Sequence, residues 1–277
     1  MTIGSARSKT ERGASFMEEH VRREVVDGVA ELTLNRPNAF NAFDLDMIRL
    51  LAEILGEVAV DSRVHGVILS GQGKAFCAGG DLKWLINFRQ RYGEAFRVLA
   101  ASYHQAIVEI RRMPKPVVAA INGLAAGGGF SLALACDFRV MASSAQLKQA
   151  YTSNGLSIDG GGTFTLPRLV GMAKALEIAA FDPPISAEQA LAWGLVTEVV
   201  DDDSTIARAH LLIENIRRGA LSSFASSKEL ISDTFSTPFE VQLEKERRHL
   251  SSCADHPNGH EGIKAFLEKR KPVYVQK

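Results

Sequence analysis

The chain is poor in cysteine. Three thiols, Cys77, Cys136 and Cys253, are scattered over 277 residues with no metal-like spacing. An odd, dispersed set excludes a disulfide framework and points to a reducing, cytoplasmic setting. An excess of one charge is missing as well. Lys+Arg and Asp+Glu both number 32, so there is no overall basic footprint for nucleic acid. No run is long and apolar enough to span a bilayer, and no membrane partner is expected. The seven histidines are dispersed. His256 and His260 stand at i, i+4 but straddle a Pro-Asn-Gly turn, so no metal site is expected. A Gly-x-Ser-x-Gly elbow and a Walker loop are both lacking, and Gly127-Gly128-Gly129 fails the dinucleotide spacing. Met1 to Ser15 has no apolar core of a secretory signal. Residues 1–17 are expected to be a disordered tail, a cleaved organellar peptide being the minor alternative.

What remains is an ordinary globular composition, 46% hydrophobic and 23% charged. Gly28 to Leu34 alternates, with Ala30, Leu32 and Leu34 on one face, as a half-buried strand does. Asp44 to Ala59 has apolar residues at helical spacing behind an Asp44 cap. Val64 to Ser70 is a buried strand, Glu94 to Arg112 a helix, Val117 to Ile121 a third strand and Phe138 to Ala142 a fourth. Helices are predicted over residues 163–180 and 258–270, with another opening at Ser186 and capped by Gly194. Ser186 and Gln189 form a capping box, and Thr237-Pro238-Phe239-Glu240 opens a further helix. The alternation argues for an α/β domain over residues 18–200. Beyond Asp201 the pattern is helical, so residues 201–277 are expected to be a helical subdomain that packs on the main domain or on another subunit.

Two glycine-rich turns follow strands, at Ala78 to Asp81 and at Gly127 to Gly129. Glycine is costly in regular structure. Three in succession mean either tight strand–helix packing or backbone N–H groups aimed at a developing negative charge. Both readings stand on these residues alone. Two such amides can hold an oxyanion or enolate, which also needs a base. Asp159, in the polar loop Tyr151 to Gly162, is the best candidate. Leu156 and Ile158 are placed to desolvate it. It can equally be a turn aspartate that caps local backbone.

Taken together, Asn35-Arg36-Pro37, Phe76-Cys-Ala-Gly-Gly-Asp81, Ala120-Ile-Asn-Gly-Leu-Ala-Ala-Gly-Gly-Gly129, Cys136-Asp137 and Phe266-Leu-Glu-Lys269 resemble the crotonase, or enoyl-CoA hydratase/isomerase, superfamily. The resemblance implies an α/β spiral of ββα turns, a helical C-terminal trimerisation region, and a trimer or a hexamer of two trimers. It implies an acyl-CoA thioester ligand and no further cofactor. It puts oxyanion donors on the amides of Gly80 and Gly128. Ala78, Asp81 and Leu82 fall where the family holds the adenine end, Arg36 and Lys83 where CoA phosphates are met, and Phe266 and Lys269 where a neighbouring subunit's CoA is reached.

The departures concern the reaction. The two hydratase glutamates fall on Ser131 and Tyr151, so simple water addition is not expected. Asp159 matches the aspartate of isomerases resembling epoxyphenylacetyl-CoA isomerase, where it moves a proton. In a related dehalogenase an aspartate at this place is a nucleophile. The expectation is an acyl-CoA isomerase with Asp159 as proton shuttle. The alternatives are a dehalogenase or hydrolase with Asp159 as nucleophile, and an inactive acyl-CoA-binding scaffold. The acyl pocket is expected from Trp84 to Phe88, from Phe96 to Tyr103 and from Tyr151, with Ser131 on its wall.

Overall fold

A computed structural model describes residues 20–275, and the expected N-terminal tail lies outside them. Strands β1 (Val21–Val26) and β2 (Val29–Leu34) form an antiparallel hairpin. Its turn, Asp27-Gly28, has positive φ at both residues, as a two-residue hairpin turn requires. Only Val21 of β1 is buried; an exposed edge strand leaves no apolar alternation to read. In β2, Ala30, Leu32 and Leu34 are buried, as their alternation predicts. Helix α1 (Leu45–Val60) is capped by Asp44, whose carboxylate accepts from the Met47 amide at 3.0 Å.

Three turns of one motif follow. Strand β3 (Gly66–Gly71) leads to β4 (Ala75–Cys77) and helix α2 (Tyr92–Arg112). Strand β5 (Val117–Ile121) leads to β6 (Leu124–Ala126) and α3 (Gly128–Ala135). Strand β7 (Phe138–Ala142) leads to β8 (Gln146–Lys148) and α4 (Gly162–Phe181). Then come β9 (Ile185–Ser186), α5 (Ala187–Ala192) and β10 (Glu198–Val200). The first strand of each turn enters a six-stranded sheet of order β1-β2-β3-β5-β7-β10, parallel beyond the hairpin. The second enters a sheet of order β4-β6-β8-β9. This is the spiral of ββα turns. Sequence patterning missed β4, β6 and β8 because three residues are too few to show a period of two.

The core lies between the six-stranded sheet and α1, α2 and α3, with Leu32, Leu55, Ile110, Phe130 and Met141 shut off from solvent. Helix α6 (Thr205–Arg217) covers the sheet's other face, where Ala209 and Ile213 pack on Val29, Ile68, Val118 and Val140. Helices α7 (Leu221–Asp233), α8 (Phe239–Asp255) and α9 (Pro257–Leu267) complete the chain. The Ser186–Gln189 capping box forms as predicted. The Thr237 cap does not. Pro238 is the capping residue of α8, and the Thr237 hydroxyl donates back to the Asp233 carbonyl at 2.9 Å.

Candidate active site

The two glycine turns meet. Phe43 forms a parallel bridge to the first: its amide donates to Gly79 O, and Asp81 N donates to Phe43 O, both at 2.8 Å. Backbone groups alternate in direction along an extended segment, so the Gly80 amide between them faces the opposite side. Gly128 opens α3, where an amide has no partner within the helix. A Cβ on Gly79 would stand 2.7 Å from Gly128 N, so the turns are in backbone contact.

The three glycines divide the two readings between them. Gly127 has φ +52 and caps α3. Gly129 answers to packing, since a Cβ there would lie 1.9 Å from Cys77 O. Gly128 lies against Phe43, whose Cζ a Cβ would approach to 2.8 Å. Backbone conformation fixes the first and packing the third, and the Gly128 amide between them is left at the helix start.

A cavity of about 360 Å³ borders this junction. Gly80 and Phe43 form one side, Phe96, Leu99 and Tyr103 of α2 another, and Tyr151 with residues 156–159 the third. Trp84 to Phe88, expected at the wall, forms a 3-10 turn that does not border the cavity; Phe43 stands there instead. Asp159 is brought to the cavity, but Leu156 and Ile158 do not enclose it. Its side chain is 36% exposed and pairs with His104, Nε2 to Oδ1 2.5 Å. Sequence reading passed over His104. The available signal was its place one helical turn beyond Ala100, which lines the cavity.

Tyr103 ties the parts together. Its buried hydroxyl donates to Gly128 O at 2.5 Å, and its ring lies 4.8 Å from that of Phe43, tilted by 30°. A Cβ on Gly160, beside Asp159, would strike that hydroxyl at 2.3 Å. Burial, reinforced by Tyr151 and other nearby groups, pushes the phenol well above its ordinary pKa, so it stays a neutral donor.

Tyr151 and Ser131 occupy the places where the resemblance puts hydratase glutamates, and they meet. Burial and the Asp159 carboxylate raise the Tyr151 phenol; the nearby Ser131 hydroxyl and Asp159 amide oppose this more weakly. The approach is not a full hydrogen bond, since buried Ser131 Oγ has no partner among the described residues. Both amide atoms of fully buried Gln149 are likewise unpartnered. A Cβ on Gly162 would come within 2.7 Å of Ser131 Oγ and 3.6 Å of Gln149 Nε2. Gln149 is the second residue that sequence reading missed.

A separate open groove gathers Arg36, Asp81 and Lys83. Arg36 is engaged within the fold: it donates to Asp81 at 2.8 Å and to Ala42 O at 2.5 Å, with Asp44 at 3.4 Å. Asp81 also accepts from Lys83 N at 3.0 Å. Leu82 is half-exposed, and Ala78 N donates to Phe40 O at 3.0 Å. Phe266 and Lys269 lie apart from both cavities. Phe266 is exposed at the end of α9, and Lys269 follows with φ +52. Among the described residues no group of three His, Cys, Asp or Glu side chains could hold a metal, and no helix is long and apolar enough to cross a membrane.

Comparison with known proteins gives the same frame. The family model for enoyl-CoA hydratase/isomerase matches residues 24–277. The chain is 34% identical to 1,2-epoxyphenylacetyl-CoA isomerase of Escherichia coli (strain K12), over 94% of this chain and all of that one. It is 33% identical to the short-chain-enoyl-CoA hydratase of Clostridium acetobutylicum, over 88% and 92% of the two chains. The crystal structure of an enoyl-CoA hydratase from Polaromonas sp. JS666 superposes with TM-score 0.87 at 37% identity, covering 92% of this chain and 99% of that one. With the ββα spiral, the paired glycine turns and matches of this extent, the chain belongs to the enoyl-CoA hydratase/isomerase family, the crotonase superfamily.

Proposed function

We propose that this acyl-CoA enzyme isomerises a double bond, with Asp159 as the single proton shuttle. The observation that carries the reading is that Gly80 and Asp159 border one cavity, while positions 131 and 151 offer a hydroxyl and a phenol in place of carboxylates. The thioester oxygen lies between the amides of Gly80 and Gly128. They stabilise the enolate that forms when Asp159 removes a proton from one carbon. The carboxylic acid then returns that proton to another carbon. His104 donates to Asp159 Oδ1 and holds the carboxylate in place, leaving its other oxygen for the substrate. Proton shuttling of this kind calls on no metal or redox cofactor. One of the relatives quoted above, at 34% identity, is itself an isomerase.

The test is conversion of a 3-enoyl-CoA to its 2-enoyl isomer, followed by absorbance. Full activity in Asp159→Asn would end the assignment. Thioester binding without turnover of any member of a CoA-ester panel would make the chain a binding scaffold.

One observation favours a second reading. His104 beside Asp159 supplies a group able to take a proton from water. Attack by Asp159 on the acyl carbon would expel the CoA thiolate and leave an anhydride, whereas attack on a halogenated aryl carbon would expel halide and leave an aryl ester; hydrolysis of either by that water would make a hydrolase or a dehalogenase. Mass spectrometry after rapid quench separates the two, because only the second leaves a covalent adduct on Asp159.

A further inference from the structure

A second cavity, of about 260 Å³, lies at the opposite ends of the helices that frame the acyl pocket. It is bordered by Arg111 at the end of α2, by the end of α3, by Asp137 and by Arg139 on β7, by Phe164 and Arg168 of α4, and by Phe235. Three guanidinium groups therefore face one space.

The Asp137 carboxylate on the wall and Asp233 nearby are each paired with other cations. Asp137 accepts from Lys228 at 2.7 Å and from Val117 N at 2.8 Å. Asp233 holds Arg112 at 3.0 Å and Lys245 at 2.9 Å. Arg139 is only 7% exposed and is satisfied in part: Nε donates to Leu195 O and Nη1 to Cys136 O, each at 2.6 Å. Its Nη2 has no protein partner among the described residues. Arg168 spends one N–H on Phe164 O at 2.6 Å, and Arg111 makes one long contact, 3.5 Å, to Ser232 O. A guanidinium has five N–H donors, so most of this donor set is unspent.

The geometry of the arginines is held by aromatic rings. Arg168 lies 3.4 Å from the Phe164 centroid and 4.3 Å from that of Phe235, with Arg111 5.0 Å from Phe164. Stacking of this kind orients planar cations without neutralising them. Burial lowers the pKa of both Arg139 and Arg111; for Arg111 the nearby Arg112 and Arg168 add to it, while Asp137 opposes it at both and Asp233 opposes it at Arg111. Gathered, partly dehydrated cations are stabilised by a bound anion with several acceptor oxygens.

We propose that Arg111, Arg139 and Arg168 form a binding site for one small free oxyanion, a phosphate or carboxylate group. The site is separate from the acyl pocket, and the inference does not rest on the isomerase reading. Deep burial of Arg139 favours a small diffusible anion over a side chain reaching in from outside.

The experiment is thermal melting of the full chain in inorganic phosphate, with acetate as the carboxylate arm and sodium chloride at matched ionic strength as control. The expected result is a saturable rise of several degrees with phosphate or acetate, at about a hundredfold excess over Kd. Which anion acts tells phosphate from carboxylate. In the double variant Arg111→Met, Arg168→Met the rise vanishes, and Arg111→Lys alone weakens the midpoint at least about tenfold while circular dichroism is unchanged. Equal melting in all three salts overturns the proposal, as does an undiminished rise in the double variant. A crystal structure with an acidic side chain of a second copy in the cavity overturns it too. If the double variant does not fold, Arg111→Lys and the wild-type titration decide.

Discussion

At the scale of single residues, charge and space at a few positions decide the chemistry. Asp159→Asn keeps shape and removes the proposed proton shuttle. We expect kcat to fall by about 10² to 10⁴-fold, the usual worth of a positioned acid–base group, with substrate KM little changed in steady-state kinetics. His104→Leu should lower kcat by a smaller factor, because the carboxylate survives but loses its fixed partner. A variant with both KM and kcat intact would remove His104 from the site. Glycines supply a contrast in stability. A methyl at Gly129 would stand 1.9 Å from Cys77 O, backbone that cannot move aside. Gly155 has φ +69 with nothing near its missing Cβ. Gly155→Ala should cost about 1 to 2 kcal/mol from the left-handed conformation alone. Gly129→Ala should cost more, read as a larger drop in the urea midpoint.

At the scale of elements, two polar contacts fasten the C-terminal helices. Lys228 of α7 is 6% exposed at its side chain and meets Asp137, 16% exposed, at 2.7 Å. It also donates to Ile110 O at 2.9 Å and Lys115 O at 3.1 Å. Burial raises the pKa of Asp137, and Lys228 pulls the other way. Lys228→Met leaves that carboxylate buried without its cation, so a loss of about 3 to 5 kcal/mol is expected in urea unfolding. Adding Asp137→Asn should restore part of it. The second contact folds the chain end back on α9. Glu261 accepts from Arg270 at 2.6 and 2.9 Å and from Val273 N at 2.8 Å. The Arg270 hydrogen bonds first, and the Val273 amide second, hold the Glu261 carboxyl down to about 2. Because the folded value is depressed, this stabilisation is present above the unfolded glutamate pKa and is lost as pH falls toward 2. A carboxyl titration of Glu261 by NMR should show its midpoint near the low value, and Arg270→Ala should return it to the ordinary range.

At the scale of the whole molecule, α8 and α9 expose Phe239, Leu250, Phe266 and Leu267, each more than two-thirds accessible. Faces of that kind mark surfaces for association. The family resemblance implies a trimer or hexamer, so sedimentation is expected to find one, and a monomer at micromolar concentration would contradict the expectation. Much of the fold was legible locally. Alternation gave β2, Asp44 announced α1, and Ser186 with Gln189 announced α5, because each depends on neighbours a few residues away. The three-residue strands β4, β6 and β8 were not legible, since their hydrogen-bond partners come from successive turns of the spiral. The resemblance supplied that architecture where periodicity could not. For the site, the sequence by itself determined the two glycine turns and placed Asp159 in a polar loop, while only the resemblance set Ser131 and Tyr151 where hydratases carry glutamates. Tertiary structure alone decided that Gly129 answers to Cys77, that His104 faces Asp159 across 55 residues, that Arg36 is tied to Asp81, and that three arginines share one cavity. The physical reason is the same throughout. Residue type and short-range spacing fix what a segment can do, whereas pairing between distant side chains depends on where the spiral brings separate turns together.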